Sequence, residues 1–216
     1  MMDPNGRIGK QEIRAAVTRG TPLPSPWFAP FGVGSGGVRR EAAASLPIIK
    51  LMTTIRWAGP EDAALILRFI RDLAEYEREP NAVAISEAEL LRDGFPAPGA
   101  ERYFECLIAE EDGAPAGFAL FFPVYSTWRG RSMHLEDLFV QPRFRGRGIG
   151  KALLTKVAAV AVERGCTRFF WHVLDWNTPA IDFYRSLGAV PLSDWTRMEI
   201  SDEPLRALAR SSEVPA

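Results

Sequence analysis

Residues 135–151 read Leu-Glu-Asp-Leu-Phe-Val-Gln-Pro-Arg-Phe-Arg-Gly-Arg-Gly-Ile-Gly-Lys, and no other stretch constrains the fold as tightly. An apolar strand carrying a carboxylate runs into a loop of glycine and arginine, and the loop runs into the start of a helix. Glycines let backbone N–H groups approach an anion without a Cβ in the way. The helix N-terminus adds unpaired donors and a partial positive charge. Arg143, Arg145 and Arg147 can add charge-assisted contacts. The loop therefore suits a pyrophosphate, and Glu136, a short way upstream, offers a general base to the same site.

Two common nucleotide loops fail on particular residues. The glycine fingerprint of a dinucleotide fold needs a third glycine where Lys151 stands. A nucleotide-hydrolase loop needs Gly where Arg145 stands and Ser or Thr where Ala152 stands. What fits is R-x-x-G-x-G, written here as Arg145-Gly146-Arg147-Gly148-Ile149-Gly150. After a V-x-P strand end and before an amphipathic helix, it resembles the acetyl-CoA pyrophosphate loop of the GNAT N-acetyltransferase superfamily. The segment from Val173-Leu174-Asp175-Trp176-Asn177 through Phe183-Tyr184 to Leu187-Gly188-Ala189 narrows the resemblance. It is similar to the diamine acetyltransferase branch, the spermidine/spermine N-acetyltransferases and the related thialysine N-epsilon-acetyltransferases. So are Leu73-Ala74-Glu75-Tyr76-Glu77, Leu90-Leu91-Arg92-Asp93-Gly94-Phe95 and Leu135-Glu136-Asp137. The resemblance covers most of the chain, and Val173-Leu174-Asp175-Trp176-Asn177 leans toward the thialysine type.

The reaction implied is attack of a neutral amine on an acetyl thioester. An alkyl ammonium, with a pKa of about 10, must first lose a proton. Glu136 is the best-placed base, because Leu135, Leu138 and Phe139 are expected to raise its pKa toward neutrality. A solvent-facing strand glutamate is the plain alternative. Asp137 points to the other sheet face unless a bulge intervenes, and reads as structural. The resemblance implies that the backbone N–H of Leu138 serves the oxyanion, at a bulge that splays this strand from residues 168–174. Pantetheine would enter the splay and pair with Phe139 and Val140, while Arg145, Gly146, Arg147, Gly148, Ile149, Gly150 and Lys151 hold the pyrophosphate.

Tyr184 is implied as the acid that protonates the departing thiolate, whose pKa is about 8.5; a core aromatic is the alternative. Asn177, just before Pro179, either contacts the cofactor or caps a helix. Tyr76 and Glu77 match the family's amine-binding pair, within an acidic cluster that also holds Glu75 and Glu79. A solvated helix face would explain the same cluster. Trp128 either packs on a substrate alkyl chain or anchors a loop. The family's Tyr-Asp-Pro-Trp loop reads Tyr125-Ser126-Thr127-Trp128 here. Loss of that acid removes a partner for a distal ammonium and disfavours spermidine and spermine.

The ends and the composition set outer bounds. A chain of 216 residues is long enough for one domain with a sizeable core. Residues 1–50 are crowded with proline and glycine and carry seven Lys/Arg against three Asp/Glu, a net +4. The whole chain is −1, so residues 51–216 carry −5. Residues 1–51 are expected to be a dispensable disordered extension, and residues 52–210 the GNAT domain. The extension lacks the continuous apolar run of a signal peptide. With no apolar run of membrane-spanning length, the chain is expected in the cytoplasm, off the membrane. Cys106 and Cys166 lie in separate apolar runs without metal or redox spacing, and read as buried thiols, though a disulfide stays open. No metal is expected.

Periodicity predicts strands at 53–57, 103–110, 116–125, 133–140, 168–174, 190–192 and 195–200. Helices are predicted from Pro60 to about Tyr76, after the Ser86/Glu89 capping box, from Ile149 onward, and from Pro179 to Gly188. The order is an α/β one, and the resemblance implies a GNAT fold: a mixed, mostly antiparallel sheet with a splayed strand pair for acetyl-CoA. It also implies a homodimer built on residues 195–200, with Trp195 and Met198 as anchors. Three functions follow: an enzyme acetylating a small primary amine, an enzyme acting on protein N-termini or lysines, and a non-catalytic acyl-CoA sensor. The sensor predicts loss of base or acid, yet Glu136 and Tyr184 are both present. Nucleic-acid binding is disfavoured by the acidic folded part.

Overall fold

A computed structural model describes residues 52–211. The expected extension, residues 1–51, lies outside the described residues. In chain order come β1 (Thr53–Trp57), a 3-10 turn (Pro60–Asp62), α1 (Ala63–Tyr76), α2 (Glu87–Gly94), β2 (Glu105–Glu111) and β3 (Ala114–Ser126). Then follow β4 (Gly130–Val140), a second 3-10 turn (Pro142–Phe144), α3 (Ile149–Glu163), β5 (Arg168–Trp171), α4 (Thr178–Ser186) and α5 (Asp202–Arg210). The sheet order is β1-β2-β3-β4-β5; the pairs are antiparallel except β4 with β5, which is parallel.

Local chemistry sets many of these boundaries. The Ser86 hydroxyl accepts from the Glu89 N–H, and the Glu89 carboxylate accepts from the Ser86 N–H at 2.8 Å, so α2 starts in a reciprocal cap. Asp112 and Gly113 take φ of 50° and 77°, the left-handed pair a two-residue hairpin turn requires between β2 and β3. Arg56 on β1 grips the buried Asp62 with two N–H groups at 2.6 and 2.8 Å, and reaches Glu110 on β2 at 2.9 Å. That ties the edge strand to the entry of α1.

Two apolar layers clamp the sheet. On one face Ile149, Leu153 and Val157 of α3 pack over Leu107, Phe121, Met133 and Leu135. On the other, Ile66 and Phe69 of α1 and Leu90 of α2 pack over Ile108, Phe118 and Phe139. Each fully buried side chain of this size contributes about 1.5–3 kcal/mol.

One irregularity decides what β4 can do. Leu120 of β3 opposes Asp137 and Phe121 opposes Leu135, so Glu136 is an extra residue with no opposite number. An extra residue shifts the alternation by one. Before it, Met133 and Leu135 face α3; beyond it Phe139, which strict alternation would also send there, packs on Phe69 of α1. Asp137 shares the parity of Phe139 and turns with it.

Three expectations need correction. β5 ends at Trp171, three residues short of the expected 174. Residues 190–192 and 195–200 form no strand, and an unexpected helix, α5, follows them. Those two segments alternate as strands do, but among the described residues no strand pairs with them to supply ladder bonds.

Candidate active site

β4 pairs with β5 only from Ser132 opposite Arg168 to Leu135 opposite Trp171. Beyond that point β4 runs on to Val140 while β5 has ended. A cleft of about 600 Å³ opens at the divergence, lined by Leu138, Phe139 and Val140 along β4. The backbone of β4 on this side faces the cleft where a longer β5 would otherwise pair. The bulge expected at Leu138 sits two residues earlier, at Glu136, and the splay begins there.

The Gly/Arg loop forms one end of the cleft. Gly146 and Gly148 take φ of 76° and 84°, and a Cβ at either would meet nothing within 4 Å. Glycine stands there for its backbone freedom, and the inner face of the loop is left open. Gly148 caps α3, so the first N–H groups of a 15-residue helix, at Ile149, Gly150 and Lys151, have no partner within the helix. With the unpaired β4 edge beside them, these donors fit an extended molecule bearing a pyrophosphate. The arginines divide. Arg145 lines the cleft, donates to the Val140 carbonyl at 2.9 Å and stacks 4.7 Å over the Tyr76 ring. Arg147 turns away from the cleft: it donates to buried Glu111 at 2.8 Å and to the Arg143 carbonyl at 3.0 Å. The side chain of Arg143 is likewise engaged outside the cleft, with Gln141 at 3.0 Å. The expectation of phosphate contacts from the Arg143 and Arg147 side chains is thus corrected; Arg147 is a strut.

Carboxylates crowd the other end. Glu77, at the C-cap of α1, lines the cleft together with Glu136 and Asp137. Burial pushes the Glu77 carboxyl up. Burial, with the charges of Glu136 and Glu77 behind it, pushes Asp137 up to about 7. Glu136 goes the other way. It is half-exposed, and a hydrogen bond from His134, at 3.3 Å, holds its carboxyl below the usual range. The expected rise toward neutrality is therefore found at Asp137, not at Glu136. The bulge exposes Glu136 and turns Asp137 inward, and sequence reasoning missed Asp137 for that reason.

Tyr184 on α4 lines the same cleft and packs on Trp171 and Phe183 at 4.8 and 5.2 Å between ring centres. Burial first, and the charge of Glu77 second, push it up to about 12, so the phenol stays protonated at all working pH values. Asn177 is a helix cap that also lines the cleft. It caps α4, accepting from the Ala180 N–H at 3.4 Å, and it accepts from the Tyr76 hydroxyl at 3.2 Å within the cleft wall. Trp128 does not line the cleft; it is exposed and packs edge-on against Trp195. Ser126 also stands apart, its hydroxyl accepting from the N–H groups of Trp128 and Arg129 in a turn. Glu75 and Glu79 are exposed and outside the cleft lining.

The chain has two histidines, and both are here. His134 is buried on β4 two residues before Glu136, and His172 directly follows β5. Their ring nitrogens are 3.4 Å apart. The signal available in sequence was His134 at i−2 from the expected base, on the same strand face. Cys106 and Cys166 are free thiols, and burial pushes Cys106 up. Among the described residues no helix is long and apolar enough to cross a membrane, and no cluster of three or more His, Cys, Asp or Glu could hold a metal ion.

Comparison with known proteins gives concordant results. Residues 68–189 match the Acetyltransferase (GNAT) family. A thialysine N-epsilon-acetyltransferase from Sus scrofa is 44% identical over 166 residues, covering 72% of this chain and 96% of that protein. A spermidine/spermine N(1)-acetyltransferase-like protein 1 from Homo sapiens is 35% identical over 165 residues, covering 72% of this chain and 23% of that one. Among solved structures, an aminoglycoside N-acetyltransferase in complex with CoA shares the fold, with a TM-score of 0.58 and 21% identity over 72% of this chain and 99% of that chain. A loop that fits a pyrophosphate, a sheet left open beside it, and relatives of this kind lead to one conclusion: the chain belongs to the GNAT acetyltransferase family and is an acetyl-CoA-dependent N-acetyltransferase.

Proposed function

We propose that this enzyme acetylates the primary amine of a small, cationic, lysine-like substrate, with thialysine or a short diamine preferred to spermine. The observation that supports this most directly is the acidic end of the cleft, where Glu77, Glu136 and Asp137 sit in the same lining as Tyr184. Three carboxylates attract an ammonium group and hold its aliphatic chain pointing toward the open β4 edge. Thialysine acetyltransferases are prominent among the relatives, which favours the same class. Ser126, occupied in its turn, offers no second anion for the far ammonium of a long polyamine.

Acetyl-CoA supplies the acetyl thioester and a thiolate leaving group. The loop residues Arg145, Gly146, Gly148, Ile149, Gly150 and Lys151, with the backbone of Arg147, hold its pyrophosphate. The open backbone of Phe139 and Val140 pairs with its pantetheine arm, and the Leu138 N–H stabilises the developing oxyanion. Tyr76 and Glu77 orient the amine beside Asp137. Glu136 takes the ammonium proton, and Tyr184 gives a proton to the departing sulfur.

Catalysis is assigned to residues 52–210, and a chain beginning at Met52 is expected to keep full turnover. The enzyme is placed in the cytoplasm as a homodimer. Trp195 and Met198, 67% and 85% exposed on a segment with no strand of its own, support a second copy as the cover; a monomer by sedimentation at micromolar concentration would refute it. The function is tested by acetyl-CoA turnover with thialysine, lysine, a short diamine and spermine in competition at fixed salt. Thialysine or the short diamine should lead in kcat/KM. A clear win for spermine would overturn the substrate assignment.

A further inference from the structure

Tyr76, the last residue of α1, touches three parts of the cleft wall at once. Its ring lies 4.7 Å from the Arg145 guanidinium, its hydroxyl donates to Asn177 at 3.2 Å, and its ring meets that of Trp176 at 5.9 Å. Backbone geometry holds it there. The helix closes with Arg78 at φ 68°, the Arg78 N–H on the Glu75 carbonyl at 3.1 Å and the Glu79 N–H on the Ala74 carbonyl at 2.9 Å, a pattern that locks the last turn. The Arg78 side chain lies 4.5 Å over the Trp176 ring and tightens the same corner. Arg145 is the group this corner supports. Its Nε donates to the Val140 carbonyl at 2.9 Å, and the Phe139 ring lies 5.7 Å from it, so the guanidinium meets one aromatic ring from α1 and one from β4. The N–H groups on its two terminal nitrogens make no hydrogen bond among the described residues.

We propose that Tyr76 is a positioning residue for the cofactor: its ring is the platform that holds the Arg145 guanidinium beside the glycine loop, with the terminal N–H groups turned to the pyrophosphate. This rests on the reading of Arg145 as a pyrophosphate ligand and extends it to a residue on a different element. A long arginine side chain has many rotamers, and one already fixed against a ring loses less freedom when the anion arrives. The face of the ring adds an electrostatic attraction of its own. The contrast with the other loop arginines fits. Arg143 and Arg147 stack on Phe144 instead, at 4.6 and 5.5 Å, and their hydrogen bonds run to Gln141 and Glu111, outside the cleft. Asn177 sets the tilt of the platform, because the oxygen that accepts from the Tyr76 hydroxyl is fixed by its cap on α4. Glu77, the next residue after Tyr76, lines the acidic end of the cleft. The end of α1 thus joins the amine end of the site to the cofactor end through one aromatic side chain.

The test measures CoA binding to the full chain by calorimetry, with no amine present, so that contacts to the amine play no part. Tyr76→Leu fills the space without an aromatic face and should weaken CoA roughly tenfold. Tyr76→Phe keeps the face and should stay within about threefold of wild type. Wild-type affinity in Tyr76→Leu overturns the platform, as does an equal loss in the two variants. Arg145→Gln should weaken CoA at least as much as Tyr76→Leu does. In the Arg145→Gln background, Tyr76→Leu should cost nothing further, because two residues acting through one contact are not additive. A full additional loss there would mean that Tyr76 touches the cofactor directly, and would overturn the positioning role. The two readings fail separately. Unchanged CoA affinity in Arg145→Gln removes Arg145 as a pyrophosphate ligand and the platform with it, whereas a loss in Arg145→Gln beside wild-type affinity in Tyr76→Leu removes the platform alone. Tyr76 stands at the exposed end of α1, with Ile66 and Phe69 buried further back, so the variants are expected to fold and to unfold near the wild-type temperature.

Discussion

The two halves of β4 share one backbone and one alternation of side chains, but only one half is finished. From Ser132 to Leu135 the strand has a neighbour on each side and a helix over its core face. From Glu136 to Val140 it keeps β3 and loses β5. In the closed half, backbone donors and acceptors are consumed in ladders and the side chains determine stability. In the open half the same backbone groups face a cleft, and the side chains beside them are acids and a phenol. The chemistry is located where the sheet stops short, because an unpaired strand edge is a ready binding surface for an extended ligand.

Tyr184→Phe should have the largest effect on the open side. With the half-buried phenol as the proposed proton donor, kcat should fall about 10²–10⁴-fold while the acetyl-CoA KM stays close to wild type. Equal losses in kcat and cofactor affinity would mean Tyr184 is packing, not acid. Met133→Ala strikes the closed half. This fully buried side chain should cost about 2–5 kcal/mol in denaturant unfolding, with kinetics of the folded enzyme nearly unchanged. If it weakens acetyl-CoA as strongly as it weakens the fold, the two halves are not separable.

Asp137→Asn sharpens the boundary. In the folded protein Asp137 holds its proton up to about 7, against 3.8 for an ordinary aspartate. Between those values the native state binds a proton that the unfolded chain does not, so stability falls as pH rises through this window. The asparagine variant should lose that decline and gain at most about 4 kcal/mol at pH 8, while acetylating more slowly. Chemical unfolding at pH 5 and pH 8 checks it; identical pH dependence in both proteins would place Asp137 outside the buried group. The smallest effect is expected at Gly148→Ala. A side chain at φ of 84° costs about 1–2 kcal/mol, and relief of that strain moves the first donors of α3, raising the acetyl-CoA KM roughly tenfold. An unchanged KM would free the loop of its assigned task.

How much of this was legible in sequence follows from the range of the forces involved. The cap at Ser86, the turn at Asp112-Gly113 and the loop before α3 depend on neighbours a few residues away, and all were read directly. The bulge at Glu136 depends on where Leu120 and Phe121 fall on the opposite strand, which sequence does not show. With the bulge unseen, the raised carboxyl was expected at Glu136 instead of Asp137, and the histidine pair behind it went unnoticed. Arg147 was misread for a related reason: its partner Glu111 is on a distant strand. The segment 190–200 has the alternation of a strand but pairs with no strand among the described residues, and α5, although Asp202 and Glu203 suit its first turn, buries nothing by which to announce itself.

The Arg147–Glu111 strut has a consequence for binding kinetics. It joins the cofactor loop to the end of β2, so the loop acquires its shape when the protein folds and not when the ligand arrives. A ligand meeting such a loop loses little affinity to ordering it. Association should then proceed as a single fast phase, with a modest heat-capacity change and no slow isomerisation behind it. Cutting the strut would leave the number of phosphate-binding groups intact and still slow the encounter, because each arriving ligand would have to wait for the loop to find its form.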